Sequence, residues 1–477
     1  MPDRPYLFHD LTIALCSTCL TRVEAKVVEQ DGRIYMHKRC PTHGFEKVLI
    51  SSDAEYWKRS RQTIKAGQMP LKFNTPIKYG CPYDCGLCPD HEQHSCLTLI
   101  EVTDGCNLRC PICYADSGPE RVESHRSLEV IEGMLDAVVR NEGEPDVVQI
   151  SGGEPTIHPR FWDILDAAKA RPIKHLMVNS NGVLIASKPD FAKRLAEYMP
   201  GFEIYLQWDS FKPDALRELR GQDLADVRMR ALENLNDAGV STTLVSTLKR
   251  GLNDDEIGKT IDFALQQPCV RGVSFQPVQD AGRTEQFDHA KDRLTLADVR
   301  TGILEQTDVF EPNDVIPVPC HPDCLAMAYA LKVGGCVTPL TGLIDPQTLL
   351  QDEGSTIIYE KNPRLRDELL KLFSTAASPT GSATSLKQLL CCLPLAAVPG
   401  DIGYENVFRV IIMKFMDAHD MDIRSVKKTC VHIAQPDGKI IPFDTFNLLY
   451  RDRAAQRLAE LRGERRGENP RSLAVLR

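Results

Sequence analysis

The stretch from residue 97 to about 285 alternates short apolar runs with amphipathic segments. Six of the apolar runs predict β-strands, at 97–102, 147–150, 175–178, 202–206, 242–247 and 272–275. The segments between them carry apolar residues at helical spacing, as in 127–141. Repeated β–α units predict an α/β fold in which a parallel sheet curls into a full or partial barrel.

Polar residues follow these strands where each one ends. Asn179 follows the third strand, Gln207 and Asp209 follow the fourth, and Ser246 lies near the end of the fifth. Taken singly, such a residue is more often a helix cap or a turn former than a ligand. Barrels of this type bind ligands at the carboxyl ends of their strands, so together these residues predict the rim of a site.

The segments on either side of the repeats predict further domains. Residues 1–60 hold two cysteine knuckles around a hairpin, and 61–96 end in a tight cysteine cluster rich in Pro and Gly. Residues 286–450 contain scattered cysteines, and 451–477 form an Arg-rich tail. The repeats at 97–285 therefore lie between metal-binding regions.

Composition narrows the class of protein. The chain has 477 residues, a formal net charge of −9 and 17 cysteines. The negative charge argues against a general nucleic-acid binder, which carries a basic surface. The N-terminus lacks the pattern of a signal peptide, and no apolar run reaches the roughly 18 residues that span a bilayer. We therefore expect a cytoplasmic protein whose cysteines bind metal rather than form disulfides.

Four residues of the N-terminal region predict a mononuclear metal site. Cys16 and Cys19 form a C-x2-C knuckle, and Cys40 and His43 follow in KRCPTHG on the far side of the hairpin. Such paired knuckles are typical of a zinc-ribbon or rubredoxin-like site that holds Zn or Fe. His43 is the fourth ligand if this set is complete; otherwise another cysteine takes that place.

A second group lies directly before the first strand of the repeats. The segment GCPYDCGLCPDHEQHSC places four thiols within sixteen residues: Cys81, Cys85, Cys88 and Cys96. This set predicts a [4Fe–4S] cluster, with a second zinc as the alternative.

The third group follows the first strand. TDGCNLRCPICYADS holds Cys106, Cys110 and Cys113 with C-x3-C-x2-C spacing. Three thiolates are one short of the four ligands of a structural zinc or a four-iron cluster. A four-iron cluster here would leave one iron open to another ligand, whereas a zinc would need a remote fourth ligand.

A glycine pair follows the second strand, in the series Ser151, Gly152, Gly153, Glu154 and Pro155. Glycines at a strand end let a ligand approach the backbone closely. The carboxylate of Glu154 suits an ammonium group.

The cysteine triplet and the Gly-Gly-Glu-Pro series together resemble the radical S-adenosylmethionine (radical SAM) superfamily. The resemblance implies that the three cysteines hold a [4Fe–4S] cluster whose open iron binds the amino and carboxylate groups of SAM. It implies that residues 151–155 bind the methionine amino group. The resemblance also implies that four more residues bind the ribose and the carboxylate of SAM: Asn179, Gln207, Asp209 and Ser246.

The C-terminal region predicts one more cluster. Cys320 and Cys324 lie in PCHPDC, and Cys430 lies in KKTCVHI. The fourth ligand stays open among Cys336, Cys391 and Cys392. Free buried thiols are the alternative for Cys269 and for one of the adjacent pair.

The order of these blocks along nearly the whole chain resembles the tetraether lipid synthases and their relatives. That resemblance implies three [4Fe–4S] clusters, one binding SAM and two auxiliary, together with a rubredoxin-like iron. It implies carbon–carbon bond formation between lipid chains, although a related member is a methyltransferase that acts on a pterin. That family often has a cysteine in the IPF stretch where this chain has Asp444.

Three functions follow from these patterns. The first is a radical SAM enzyme that abstracts hydrogen from an unactivated carbon of a lipid or small-molecule substrate and forms a carbon–carbon bond. The second is a radical SAM methyltransferase acting on a pterin or similar heterocycle, and the third is a non-catalytic zinc-ribbon scaffold. A ferredoxin or flavodoxin is the expected electron donor. The Arg-rich tail predicts either peripheral contact with phospholipid headgroups or a solvated helix face.

Overall fold

The computed structural model describes residues 4–64, 66–285, 287–333, 336–343 and 406–464. The sequence also predicts a polar loop at 374–388, a buried apolar run at 389–399, and a strand or a helix at 407–416. The loop and the first apolar run, together with Cys391 and Cys392, lie outside the described residues.

An antiparallel sheet forms the N-terminal unit. Its strands pair in sequence order: β1 (Leu7–Leu15), β2 (Arg22–Gln30), β3 (Arg33–Cys40) and β4 (Gly44–Ser51). The turn between β2 and β3 uses Asp31 and Gly32, both at positive φ, which suits a tight hairpin. The predicted hairpin is therefore confirmed.

A twelve-stranded sheet forms the body of the protein. The six strands at its centre are parallel: β5 (Leu97–Thr103), β7 (Val147–Gly152), β8 (His175–Ser180), β9 (Phe202–Gln207), β10 (Thr242–Leu248) and β11 (Val270–Pro277). Each coincides with one of the six predicted apolar runs. Two short strands, β6 (Ile112–Cys113) and β12 (Arg283–Thr284), pair with each other outside this sheet.

Helices connect the central strands, as the pattern of the sequence predicts. The described α-helices are α1 (Ala54–Ser60), α2 (Leu128–Glu142), α3 (Phe161–Lys169), α4 (Val183–Ser187), α5 (Pro189–Ala196), α6 (Pro213–Arg220), α7 (Ala225–Ala238), α8 (Ile257–Gln266), α9 (His289–Asp292), α10 (Leu296–Gln306), and short helices at Ile423–Val426, Phe443–Thr445 and Ala455–Leu461. Among the described residues, none of the helices is both long and apolar enough to cross a bilayer.

The C-terminal region extends the sheet at both edges. The antiparallel strands β13 (Ile316–Pro317), β14 (Leu325–Val333) and β15 (Cys336–Pro339) lie beyond β16 (Val407–Met413), which pairs in parallel with β11. At the opposite edge, β17 (Val431–Ala434) pairs in parallel with β5, and β18 (Ile440–Pro442) follows it. The segment 407–416, predicted as a strand or a helix, is thus a strand over most of its length.

Two aromatic rings show that the edges of this sheet approach each other. Phe415 follows β16 and Phe443 follows β18, and their ring centroids are 4.0 Å apart. The sheet therefore curls into a barrel-like wall, as predicted. Alternate strand residues pack outward on the helices, as Ile100 and Val178 do, whereas Leu99 and Met177 belong to an inner layer.

A buried ionic network joins four strands near their amino ends. The carboxylate of Glu203 (β9) accepts hydrogen bonds from Arg409 (β16) at 2.8 and 2.9 Å, from Thr243 (β10), and lies 3.1 Å from His175 Nε2 (β8). Burial alone would raise the pKa of Glu203, but the charges of Arg409 and His175 outweigh it and hold this pKa well below its usual range. The network ties the added strand β16 to the centre of the sheet.

Replacing Glu203 by Gln should lower the free energy of unfolding of the barrel by about 3–5 kcal/mol, because the variant removes the carboxylate charge that faces the buried Arg409. Guanidinium unfolding followed by circular dichroism, with hydrogen exchange of the β9 and β16 amides, measures this loss. The matched control is Asp190→Asn, which removes the exposed pair with Lys193 and should cost less than about 1 kcal/mol. Equal losses in both variants would contradict a structural role for the network.

Candidate functional site

A cavity lies at the carboxyl ends of the parallel strands. Eight strands of the twelve-stranded sheet contribute to its lining, among others through Leu97, Leu99, Glu101, Gln149, Ser151, Asn179, Tyr205, Gln207, Thr247, Gln276, Met413 and Val431. Because inward-facing residues of so many strands share one cavity, the sheet is curved around it. This is the edge of the barrel at which the sequence predicts a site.

The cysteine triplet forms part of the cavity wall. Cys106, Cys110 and Cys113 all line the cavity as free thiols. Arg283 holds their loop in place, since its guanidinium donates to the carbonyls of Cys110 at 2.7 Å and Ser117 at 2.5 Å. The structure thus brings the three predicted ligands together on one rigid loop.

The electrostatics of this loop fit a bound cationic cluster. Burial and the nearby carboxylate of Glu154 raise the pKa of Cys106 to about 12. A thiol in such surroundings becomes a thiolate only beside a strong positive charge, which iron ions supply. The hydroxyl of Ser117 also lines the cavity, is buried, and has no hydrogen-bond partner among the described residues. Both observations fit an added polar group in this cavity.

The Gly-Gly pair allows the ends of β5 and β7 to touch. The N–H of Gly153 donates to Thr103 O at 2.8 Å, and that of Glu154 donates to Gly105 O at 3.0 Å. A Cβ at Gly153 would lie 2.0 Å from Gly105 O, and Gly152 adopts φ +125°. Only glycine at these positions lets the loop after β7 reach the cysteine loop.

Glu154 links this contact to the next strand. It is buried, and its Oε1 accepts from Thr156 N at 3.2 Å and Ser180 Oγ at 2.9 Å, while Oε2 accepts from Asn181 N at 2.7 Å. Burial raises its pKa. Oε1 also accepts from Thr156 Oγ1 at 2.6 Å, so it is fully engaged. Oε2 accepts from Asn181 N alone among the described residues, and its second lone pair can accept from an ammonium group.

Six of the nine predicted SAM-binding residues line the cavity: Ser151, Gly152, Gly153, Glu154, Asn179 and Gln207. The Nε2 of Gln207 donates to Asn179 Oδ1 at 3.0 Å, so these two amides orient each other. The adjacent Asn181, which the sequence analysis did not single out, lies with its Nδ2 3.9 Å from Cys106 Sγ.

Three predicted residues lie behind the lining. Pro155 begins a 3-10 turn, Pro155–Ile157. Ser246 is buried on the outward face of β10, because its neighbour Thr247 faces the cavity and side chains alternate along a strand. Asp209 is buried between Arg220, at 2.5 Å, and Arg228, at 2.7 Å. The sequence predicts direct contact between these three side chains and SAM. The structure instead places them behind the residues that line the cavity, where they support the lining.

Arg220 is the charged group that Asp209 positions in the cavity. Its Nη2 donates to Gln207 Oε1 at 3.1 Å and to Thr247 Oγ1 at 2.7 Å, and the guanidinium interacts with Cys110. Burial alone would lower the pKa of Arg220, but the charge of Asp209 outweighs it and raises this pKa. A fixed cation beside the cysteine loop offsets negative charge there. Arg220 ends a helix far from any motif, so the sequence gives no signal for it.

Another part of the lining combines an aromatic cluster with an ion pair. The ring of Tyr114 packs edge-on against Phe415 and Phe443, with centroids 5.8 and 5.3 Å away. Glu101 and Arg451 line the same cavity and form an ion pair at 2.7 Å. These groups could accept a planar molecule with a polar edge.

The N-terminal metal site is assembled as the sequence predicts. One ligand atom from each of Cys16, Cys19, Cys40 and His43 lies within 4.8 Å of the others. His43 Nδ1 is 3.5 Å from the sulfurs of Cys16 and Cys40. Backbone N–H groups of His43 and Thr42 lower the pKa of Cys40 to about 6, which favours the thiolate that binds metal.

Cys96 does not join the group that its sequence neighbours form. Its sulfur lies within 4.8 Å of those of Cys320 and Cys430. The reason is strand register: β17 pairs with β5 so that Val431 faces Leu97, which puts the preceding cysteines side by side. The predicted set of Cys81, Cys85, Cys88 and Cys96 is corrected accordingly, because proximity in the chain is not proximity in the fold.

The remaining thiols define two sets. Cys85 is buried and interacts with Cys81 and Cys88, so these three stay together. Cys324 is buried beside Lys414 and is not part of the close group formed by Cys96, Cys320 and Cys430. Cys96 therefore joins Cys320 and Cys430 of the predicted trio, and the assignment of Cys324 as a cluster ligand stays a prediction.

A histidine and a glutamate support Cys96. His94 Nε2 lies 3.5 Å from Cys96 Sγ, and His94 Nδ1 lies 2.9 Å from Glu142 Oε2. A histidine fixed by a carboxylate can donate to a ligand sulfur and thereby tune a bound cluster.

Gly153→Ala should slow SAM cleavage about 100-fold, because a misplacement of about 1 Å at the reacting centre costs that much. The added Cβ must push the loops after β5 and β7 apart. The measurement is the rate of 5′-deoxyadenosine release by the reconstituted protein. Gly133→Ala is the matched control, since its Cβ meets nothing within 4 Å. A wild-type rate in the Gly153 variant would show that the contact between the loops is dispensable.

Variants of Cys96, Cys320 and Cys430 should each lose the same cluster. Each should contain about four irons fewer than wild type, and combining Cys96→Ala with Cys430→Ala should remove no more. Combining Cys96→Ala with Cys85→Ala should remove about eight. Iron and sulfide analysis with electron paramagnetic resonance measures this. Cys269→Ala, a buried thiol near Thr242, is the control. If both double variants lost the same amount of iron, Cys96 would belong with Cys81, Cys85 and Cys88, as the order of the sequence predicts.

Comparison with known proteins places these features in a family. Residues 100–264 match the family model of the radical SAM superfamily, and residues 8–52 match that of the HMPTM N-terminal zinc ribbon domain. A 7,8-dihydro-6-hydroxymethylpterin dimethyltransferase of Methanocaldococcus jannaschii is 30% identical over 488 residues, covering 94% of this chain and 95% of the relative.

Other relatives share a smaller part of the chain. A GTP 3′,8-cyclase of Alkaliphilus oremlandii is 31% identical over 256 residues, covering 52% of this chain and 72% of that protein. The crystal structure of Streptococcus suis SuiB is 20% identical, with a TM-score of 0.37, over 44% of this chain and 45% of that one. The first relative matches nearly end to end, including the ribbon and the C-terminal region. The chain therefore belongs to the radical SAM superfamily, in the family of that pterin dimethyltransferase.

Proposed function

We propose that this protein is a radical SAM methyltransferase whose substrate is a pterin or a similar fused nitrogen heterocycle. The observation that carries the proposal is the similarity over 94% of this chain to a pterin dimethyltransferase, which extends well beyond the SAM-binding core. Membership in this family favours an enzyme over a non-catalytic scaffold.

The cavity wall supports a planar, polar substrate. Tyr114, Phe415 and Phe443 form an aromatic cluster in the cavity wall, against which a planar heterocycle can pack face to face or edge to face. Glu101 and Arg451 offer a carboxylate and a guanidinium for the polar edge of such a ring. A polar edge hydrogen-bonded to buried charged groups is a strong source of selectivity.

A lipid substrate receives less support. A saturated hydrocarbon chain needs an apolar channel, yet amide side chains occur around this cavity: Gln149, Asn179, Gln207, Gln276 and Gln279. The apolar runs at 389–399 and 407–416 could line such a channel, although apolar runs more often form the core; the first of them lies outside the described residues. Polar groups of this kind in a cavity wall suit a ligand that can hydrogen-bond with them better than a saturated hydrocarbon.

The residues around the cavity would have different roles in the reaction. The four-iron cluster and SAM, when bound at Cys106, Cys110 and Cys113, supply a 5′-deoxyadenosyl radical. The loop at 151–154 then holds the amino acid end of SAM, and Arg220 balances negative charge beside the cysteine loop. The buried cavity excludes water from the reactive species. We also propose two auxiliary clusters, one at Cys81, Cys85 and Cys88 and one at Cys96, Cys320 and Cys430. The proposed electron donor is a ferredoxin or a flavodoxin.

The enzyme reconstituted anaerobically with iron and sulfide, and reduced through flavodoxin, should convert 7,8-dihydro-6-hydroxymethylpterin into products heavier by one or two methyl groups. SAM with a deuterated methyl group identifies whether SAM is the methyl source. The measurement is mass spectrometry of the pterin, alongside 5′-deoxyadenosine.

A Cys113→Ala variant should give neither product, whereas Cys269→Ala should give both. Deuterium-free pterin together with coupled tetraether-type lipids would overturn the methyltransferase proposal in favour of lipid chemistry. SAM cleavage without change in any pterin tested would argue against this substrate class.

A further inference from the structure

A group of metal-binding side chains lies outside the cavity and outside the cysteine sites. Glu46, His289 and His419 each place one ligand atom within 4.8 Å of the others. They come from three parts of the chain: strand β4 of the ribbon, helix α9 after the barrel, and the segment that follows β16. All three are half-buried. The sequence analysis did not identify them, because they are more than a hundred residues apart.

The three side chains lie directly against one another. Glu46 Oε1 lies 3.1 Å from His419 Nδ1. The ring of His289 stacks on that of His419, with centroids 3.6 Å apart and planes 14° apart. Two imidazoles and one carboxylate are a common ligand set for zinc and for ferrous iron.

The opposite side of the His419 ring is fixed by a carboxylate. Its Nε2 lies 3.4 Å from Asp280 Oδ2, while Asp280 Oδ1 accepts from Thr284 Oγ1 at 2.9 Å. In metal sites, a histidine ligand typically donates its other ring N–H to such a carboxylate, which fixes the tautomer. Here that arrangement leaves Nδ1 as the atom that faces Glu46. A bound cation would take the place of the proton that Nδ1 and the Glu46 carboxylate share.

Hydrogen bonds to one oxygen of the Glu46 carboxylate decide that the other oxygen points at His419. Its Oε2 accepts from Ser17 Oγ at 2.8 Å and lies 3.3 Å from Lys38 Nζ. Those contacts use one oxygen and leave Oε1 directed at His419. Glu46 and His419 are therefore each oriented by a hydrogen-bonded group, and His289 is placed by stacking on His419.

We propose that Glu46, His289 and His419 bind one divalent transition-metal ion, with Asp280 as the orienting carboxylate. Zinc and ferrous iron share the required chemistry. The ion would join the ribbon to the barrel and to the C-terminal region at one point. Gln279 and Ala281, on either side of Asp280, line the cavity, so the ion would also brace the cavity wall from behind.

The test is metal binding by the reconstituted full-length protein. After equilibrium dialysis against Zn²⁺, wild type should retain one more equivalent of zinc than His289→Phe. Phenylalanine keeps the stacked ring and removes the donor atom, so the fold is preserved. Co²⁺ in place of Zn²⁺ should give ligand-field bands without the thiolate charge-transfer band of the cysteine sites. Dialysis against Fe²⁺ under anaerobic conditions shows which of the two ions binds more tightly.

Two further variants separate a metal site from an ordinary histidine–carboxylate pair. Asp280→Asn should weaken zinc affinity about 10–100-fold, the usual effect of losing an orienting carboxylate. His9→Gln is the matched control, because His9 pairs with Glu29 at 2.9 Å on the same ribbon; it should leave the zinc count unchanged. The same zinc content in wild type and His289→Phe would overturn the proposal and identify the group as a proton-bridged ion pair.

Discussion

The close contact between the ends of β5 and β7 is the constraint on which the candidate active site depends. Two backbone hydrogen bonds, from Gly153 to Thr103 and from Glu154 to Gly105, hold the loops together at 2.8 and 3.0 Å. No side chain larger than hydrogen fits at Gly153. Because the loops are joined by their backbones, the distance from the cysteine triplet to Glu154 is set by strand register and not by flexible side chains. Such pre-organisation is what a reaction through a highly reactive species requires.

Charge compensation is the second requirement, since the walls of the cavity contain many groups that are expensive to bury. Asp209 is paired with two arginines, and Glu203 with Arg409 and His175, although all these groups are almost removed from water. A buried ion pair is a weak source of stability, but an unpaired buried charge is strongly destabilising. These pairs therefore fix the strands and place cations such as Arg220 where thiolates must form.

The sequence predicts the architecture and the local motifs well, because both depend on short-range patterns. All six central strands and the group of Cys16, Cys19, Cys40 and His43 are in the structure as expected. What the sequence misses depends on contacts between distant segments. Cys96 joins Cys430 only because β17 pairs with β5 in one register, and Asp209 is turned from the cavity by arginines on α6 and α7. Side chains alternate along a strand, so Ser246 points away from the cavity because its neighbour Thr247 points into it.

The C-terminal region completes the barrel as well as contributing cysteines. Strand β16 supplies Met413 and leads to Phe415, β17 supplies Val431, and the helix after β18 supplies Phe443 to the cavity. A core built only from residues 97–285 would leave both edges of the sheet open, with unpaired backbone groups and no apolar wall opposite Tyr114. The ribbon is tied to the same region, because Lys38 donates to the carbonyls of Ala418 and His419 at 2.9 and 2.8 Å. Since both edges and the ribbon meet next to the cavity, the end-to-end similarity to a pterin dimethyltransferase includes the parts of the fold that would select the substrate, and not only those that bind SAM.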